Sequence, residues 1–288
     1  MIIALVIFLI TYILMLSFQQ YRPWIALTSA AIFIVLGYAG LFELTLFSAL
    51  SAVDYNVLLM IGGTMGTVTL FVESRMPARL AEILITKVPN VKWAVCALAL
   101  FAGVISAFVD NVATVLMVAP IGLAISRKLK ISPVPVLISI AVSSNLQGAA
   151  TLVGDTTSIL LGGYAGMTFL DFFWMLGKPG IFWGVELGAL VSLGALLFLF
   201  RKEMQTVSAK VETTVDDYIP SVLMIGTVVC LIFASFMPEP AGGFAAAVYN
   251  LRSGLICLVI CIIGVVIHCT RQGSCAIVNK ILKDLDKD

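Results

Sequence analysis

Charge is what this chain has least of. Of its 288 residues 11% are Asp, Glu, Lys or Arg and 61% are hydrophobic, with a mean hydropathy of +1.10. A soluble domain carries about a quarter charged residues, so a water-soluble core is excluded and an integral membrane protein is indicated. Net charge is +1, which gives no electrostatic ground for nucleic acid. Histidine occurs once, at His268, where it closes an apolar run and reads as an interfacial helix-end residue. Six cysteines (Cys96, Cys230, Cys257, Cys261, Cys269, Cys275) lie mostly within apolar runs and form no C-x-x-C pair. Neither a disulfide framework nor a zinc site is indicated. The N-terminus lacks a basic n-region and a small-residue cleavage pattern, so it reads as a retained first helix and not a signal peptide. No catalytic residue and no cofactor is expected.

What is present is a series of apolar segments, and an all-α integral membrane protein is expected. Helices are predicted from about Met1 to Ser17 and from Trp24 to Leu41, then a loop or surface helix from Glu43 to Tyr55. A third helix, Asn56 to Val72, carries Gly62, Gly63 and Gly66, which suit close helix packing. The stretch from Glu73 to Lys92 is charged, and Glu73, Arg75 and Arg79 read as a solvated loop. Further on come a closing helix at 173–200, ending at Arg201-Lys202, and a polar linker at 203–217. Helices at Tyr218–Met237 and Leu251–Cys269 and a charged tail complete the chain.

Two segments do not read as simple spans. From Trp93 to Ser126 there are 34 residues, of which Asp110 is the only charged one. A continuous helix of that length would reach roughly 50 Å, against a hydrocarbon core of ~30 Å. The segment 93–126 is therefore expected to fold back at its polar centre, Ser106-Ala-Phe-Val-Asp110-Asn111-Val-Ala-Thr114. That leaves arms of 17 and 15 residues, each short of a comfortable span of about 20. Basic residues flank both ends, so both are expected on the cytoplasmic side. A tight pair of spanning helices with an outer turn satisfies this, as does a re-entrant hairpin whose tip stops at membrane depth. The charges do not separate the two; the short arms lean towards the hairpin. The second segment, 133–163, begins as a helix and turns polar through Ser143, Ser144, Asn145, Gln147, Gly148, Gly154, Asp155, Thr156 and Thr157. Irregular backbone at membrane depth is tolerated only inside protein or against a water-filled cavity. A discontinuous helix, broken between about Gly148 and Asp155, is expected.

Orientation follows from counting. With the N-terminus outside and the folded-back segment returning to its own side, 15 of the 17 basic residues are cytoplasmic and only Lys178 and Arg252 lie outside. The positive-inside rule favours this arrangement strongly: a multi-pass cell-membrane protein with the C-terminus of this chain in the cytoplasm. After Lys202 the order of elements restarts, now from the inside, and Leu50–Asp54 has a rough counterpart in Leu282–Asp286. Inverted repeats with broken helices are the architecture of secondary transporters. On this reading residues 1–202 are a first repeat, 203–217 a cytoplasmic linker, and 218–288 the start of a second, inverted repeat that is truncated.

At these residues the chain resembles the ion transporter superfamily, which contains arsenite permeases, NhaD-type sodium–proton antiporters, the melanosomal P protein, and citrate and dicarboxylate–sodium symporters. The resemblance is carried by SAFVDNVATVLMVAPI (Ser106 to Ile121) and SSNLQGAATLVGDTTSILL (Ser143 to Leu161). The pair at this spacing is fairly specific, and it covers the first half of a family member. It implies a re-entrant hairpin entering from the cytoplasm, its tip meeting an unwound loop, with sodium between them in the symporters. By position the hairpin ligands would be Ser106, Asp110 and Asn111, and the loop ligands Gly148, Gly154, Asp155 and Thr156. The symporters have Ser-Asn-Thr where this chain has Asp110-Asn111-Val112. An acid there is closer to the antiporter and P-protein branch, as is Gly154-Asp155-Thr156-Thr157.

The chemistry of the residues agrees. Breaks at mid-depth would aim helix C-termini, near Val109 and Gln147, and N-termini, near Val112 and Thr156, at one gap. C-terminal carbonyls with Asp110, Asn111 and Asp155 suit a hard cation such as sodium, and those three are the candidate metal ligands. Thr114, Asn145 and Thr157 complete the candidate ion- or substrate-binding residues. Two carboxylates sharing one site repel, which favours a proton on one of them, and alternation of Na⁺ and H⁺ there is antiport. An anion permease or symporter for arsenite, citrate or a dicarboxylate stays open, because a second repeat would complete the substrate site. The bland alternative is that both aspartates merely cap half-helices or sit in water. Two other classes compete with transport. An intramembrane aspartyl protease also needs two membrane aspartates, but its Gly-x-Gly-Asp signature is broken at Leu152-Val153-Gly154-Asp155; the other class is a non-transporting membrane fragment. Expected partners are the lipid bilayer, a small inorganic ion or small anion, and the missing second repeat; a homodimer stays open.

Overall fold

The computed structural model describes residues 2–41, 45–129, 131–206, 213–272 and 276–285. Glu43, Asp286 and residues 207–212 of the linker, on which parts of the reading above rest, lie outside them. Among the described residues the protein is helical apart from one hairpin of two-residue strands and a single antiparallel bridge between Asn90 and Thr206, and it packs as two units, residues 1–54 and 55–288.

The first unit pairs α1 (Ile2–Ser17) with α2 (Arg22–Tyr38). Pro23 stands in the first turn of α2, where its missing N–H leaves no bond unmade. The Thr11 and Ser29 hydroxyls hydrogen-bond at 2.8 Å and join the two helices through a polar contact. A short α3 (Leu46–Ser51) follows, opened by a Thr45–Ser48 capping box.

The second unit is built around α4 (Tyr55–Glu73). Among the described residues four helices are long and apolar enough to cross a membrane: α2 with the turn before it, α4, α10 (Ile181–Leu199) and α13 (Arg252–Gln272). Of these α4 is the one most enclosed by protein, 56% of its apolar window against none of α2 or α10. Its glycines explain one contact. A Cβ on Gly63 would run into the backbone of Cys257 on α13, and one on Gly66 into Cys261 Sγ. Two of the third helix's glycines therefore serve packing, as expected, while Gly62 faces open space.

The 34-residue segment does fold back. α6 (Val91–Ser106) ends and α7 (Asn111–Leu129) begins on either side of a four-residue turn. Leu98 and Gly122, each 12 residues from Asp110, face each other: Leu98 Cδ1 lies 3.9 Å from the Cβ position of Gly122. α8 (Pro133–Gly148) packs on both arms, its Ser143 and Gln147 against Gly103 and its Val136 and Ile140 against Gly122. A seven-residue break separates α8 from α9 (Thr156–Ala165).

Two boundaries differ from the expectation. The charged stretch after Glu73 is not a loop but α5 (Met76–Thr86), entered through Arg75 at φ 58°. It buries Ala81 and Ile85, four residues apart, against the base of the hairpin, and this apolar face outweighs the surrounding charge. The closing helix begins at Ile181 and not at Phe173. Before it lies an antiparallel pair, β1 (Trp174–Met175) and β2 (Lys178–Pro179), turned through Leu176 and Gly177 at φ 50° and 74°. Two successive positive φ values are those of a type I′ turn.

Three further helices, α11 (Ile219–Ser235), α12 (Phe244–Asn250) and α14 (Ala276–Leu285), lie in the remainder. The described ends of the linker are docked. Val91 N and Lys92 N, at the start of α6, donate to Gln205 O and Glu203 O, each at 3.0 Å. Those donors would otherwise be orphans of the helix terminus. Thr213 donates from N and Oγ1 to Glu82 of α5, at 2.9 and 2.7 Å. The hairpin is thereby held at its base as well as along α8.

Candidate functional site

The site is where the hairpin turn meets the break in the α8–α9 pair. α6 runs out in a turn in which Phe108 N and Val109 N both donate to Ile105 O. Asp110 then opens α7 by accepting from Ala113 N at 2.9 Å. The tip is buried: Ser106, Ala107 and Val109 are 0%, 5% and 2% exposed. Val109 packs with Val68 and Phe71 of α4. Across from it, Thr151 of the break donates its hydroxyl to the Ala107 carbonyl. Gly154 makes the closest approach. A Cβ there would lie 2.5 Å from Gly148 O, 2.7 Å from Ser106 O and 2.8 Å from Ala107 O. Carbonyls from the C-terminal ends of α6 and α8 thus crowd around one residue, and helix C-termini carry partial negative charge.

Beside this contact lies a cavity of about 20 Å³. Its walls are Asp110 from the hairpin, Val153, Gly154, Asp155, Thr156 and Ile159 from the break and α9, and Ile61, Thr64, Met65 and Val68 from α4. A water needs roughly 10–15 Å³, so the cavity holds one body of that size. The two acids expected to share a site line the same cavity.

Four candidate residues are among its walls: Asp110, Gly154, Asp155 and Thr156. Ser106 and Gly148 are not among the walls but lie against each other, with Ser106 Oγ 3.5 Å from the Cβ position of Gly148. The hydroxyls of Ser106 and Thr114 are both fully buried and have no hydrogen-bond partner among the described residues. Buried hydroxyls of that kind are costly unless something else satisfies them. Three further candidates are not among the walls. Asn111 donates from Nδ2 to Asn145 Oδ1, while its carbonyl accepts from Ser144 Oγ at 3.1 Å. Asn145 and Thr157 are exposed. Thr157 nonetheless reaches the site indirectly, since its hydroxyl donates to Asp155 Oδ2 at 3.0 Å.

The bland alternative is half met. Asp110 caps its helix. Asp155 stands in the corresponding position before α9, yet its carboxylate makes no cap to the backbone and accepts instead from the Thr157 and Thr156 hydroxyls. The α4 wall is absent from the sequence reading. Its only visible trace is Thr64, one of three threonines close together in an apolar helix, and nothing in the spacing singles it out. Among the described residues no three His, Cys, Asp or Glu cluster; the polar side chains in the cavity walls are those of Asp110, Asp155, Thr156 and Thr64, carboxylate and hydroxyl oxygens of the kind that suit hard cations.

Residues 4–276 match the citrate transporter family (CitMHS). The chain belongs to that family. Among its relatives is an uncharacterized transporter of Mycobacterium tuberculosis, 28% identical over 250 residues, covering 83% of this chain and 56% of the relative. The P protein of Homo sapiens is 32% identical over 110 residues, 38% of this chain and 13% of that protein. The magnetosome protein MamN of Magnetospirillum gryphiswaldense is 27% identical over 216 residues, 74% and 47% respectively. No solved structure matches. The chain spans about half the length of the mycobacterial relatives it matches. The family and the Mycobacterium tuberculosis relative are described as transporters, not enzymes, which removes the aspartyl-protease reading, and the protein is embedded in the membrane.

Proposed function

We propose that this chain carries the cation-coupling site of a secondary active transporter, in which Na⁺ and a proton compete for the cavity between Asp110 and Asp155. The observation that carries the reading is the shared cavity: two acids from separate helix breaks, one ion's worth of space, and C-terminal carbonyls crowded alongside. With both carboxylates ionised the site attracts Na⁺; a proton on either weakens that attraction. Exchange of the two across alternating access is antiport. On this reading the hairpin is re-entrant, which its buried tip supports: an outer turn would meet water. Residues 1–202 then form the first repeat and α11 and α13 open an inverted second one, with the N-terminus outside.

A second reading rests on the family's description and on the Asn111–Asn145 pair. A citrate-sized anion has no room in the cavity. The amide pair, reaching the surface at Asn145, offers hydrogen-bonding groups to a carboxylate on the outer side of the same turn, where a second repeat would close over it. Na⁺ would then be the coupling ion of a symporter.

The test is ²²Na⁺ uptake into vesicles carrying the chain, with and without a co-expressed second half, under an imposed pH gradient. Gradient-driven uptake that Asp110→Asn and Asp155→Asn each abolish supports antiport. Uptake indifferent to pH but raised by citrate favours the symporter. Absence of sodium flux in every case sinks the cation site.

A further inference from the structure

We infer that Thr64 of α4 is a ligand of the cation, and that it makes α4 the third arm of the site. The inference rests on the cation site proposed above and adds a residue that neither helix break contains. Thr64 is buried, 9% exposed, and lines the cavity together with Asp110 and Asp155. The other α4 residues in the wall, Ile61, Met65 and Val68, are apolar, so Thr64 is the one polar group that this helix brings.

The state of its hydroxyl decides what it can bind. Thr64 Oγ1 donates its proton to Met60 O at 2.7 Å, with Ile61 O at 3.2 Å. A hydroxyl has one proton and two lone pairs, and this proton is committed to the helix. With that bond made, what the Thr64 hydroxyl has left to offer is lone-pair density, which solvates a cation and repels an anion or a second carboxylate. Such back-bonding is common for threonine within a helix, and Thr67 and Thr69 do the same with Gly63 O and Met65 O. Those two do not line the cavity; Thr64 does.

Its position is also fixed from behind. Gly63, the preceding residue, lies against the Cys257 backbone of α13, so the packing of α4 on α13 sets the depth at which Thr64 meets the two aspartates. Three independently supported elements then supply the oxygens: the hairpin, the break and α4. Ion selectivity depends on the number and spacing of such oxygens.

The experiment is the unfolding temperature of the purified chain in detergent against Na⁺ concentration, with choline holding ionic strength constant. Wild type, Thr64→Val, Thr64→Ser and, as a control on the same helix, Thr67→Val are compared. The expected result is saturable stabilisation of the wild type and a half-saturating Na⁺ raised about tenfold in Thr64→Val, the loss of one polar contact. Thr64→Ser and Thr67→Val should keep the wild-type value. A wild-type Na⁺ response that Thr64→Val leaves unmoved overturns the inference while leaving the cation site standing. A wild type with no Na⁺ response overturns the cation site itself. If Thr64→Val does not fold, a tenfold loss in Thr64→Ala with retention in Thr64→Ser supports the inference equally, and equal affinity in the two overturns it.

Discussion

The two helix breaks are alike in plan and unlike in the use of their acid. Each starts at a helix C-terminus, ends in an aspartate immediately before the next helix, and sends that aspartate to the same cavity. Asp110 commits a carboxylate oxygen to its own helix through Ala113 N. Asp155 leaves α9 without a side-chain cap and is held by the hydroxyls of Thr156 and Thr157, at 3.5 and 3.0 Å. Backbone donors are fixed by the helix, whereas hydroxyls rotate. On the cation-site reading, Asp110 is thus part of the framework as well as of the site, and Asp155 is the acid that would turn towards an arriving ion at smaller cost.

The comparison depends on the two breaks touching, and the largest expected effect is to force them apart. A Cβ at Gly154 would press on three backbone oxygens from two helices, none of which can move like a side-chain tip. Gly154→Ala should lower stability by about 1–3 kcal/mol, the usual range for overpacking, and remove Na⁺-dependent stabilisation. Gly148→Ala sharpens the point, because a Cβ there meets nothing nearer than 3.5 Å and should change stability by no more than about 0.5 kcal/mol. Detergent-solubilised protein unfolded with SDS measures both. Equal costs at the two glycines would mean that the breaks do not meet at Gly154. Next in size is Thr151→Val, which removes the hydroxyl that joins the break to the buried Ala107 carbonyl. Leaving that acceptor without its partner should cost about 1–2 kcal/mol, read in the same unfolding experiment, and Thr151→Ser should recover most of it.

Much of this is legible in the residues because polar groups in apolar helices are expensive. Asp110 in a run of 34 residues has to mark a fold-back, and the glycine and acid at 148 and 155 have to mark a break; the helices end at Ser106 and Gly148 and resume at Asn111 and Thr156. What cannot be read is direction. Asn111 follows Asp110, yet its side chain pairs with Asn145 and takes no part in the cavity walls, a choice made by the packing of α7 on α8. Thr64 is hidden because threonine satisfies itself inside a helix and so carries no penalty to betray a function. In the Glu73–Lys92 stretch charge masks the two apolar positions, Ala81 and Ile85, that make α5 a helix.

The smallest effect is the one that separates the two acids. Neutralising either Asp110 or Asp155 removes one carboxylate from the cavity, so Asp110→Asn and Asp155→Asn should both lose the Na⁺ response. Stability without Na⁺ then isolates the cap. Asparagine caps a helix as well as aspartate does, while alanine does not, a difference of about 1 kcal/mol. At Asp110 the alanine variant should therefore be about that much less stable than the asparagine variant, because Ala113 N loses its acceptor. At Asp155 the side chain caps no backbone donor of α9; alanine there removes only the acceptor of two hydroxyls, the nearer of them on exposed Thr157, and the two variants should agree within about 0.5 kcal/mol. Measured by SDS unfolding in choline, a gap at both positions would make Asp155 a cap like Asp110 and erase the distinction between the breaks. A gap at neither would mean that the Ala113 contact contributes nothing to the fold, leaving both acids to the ion alone.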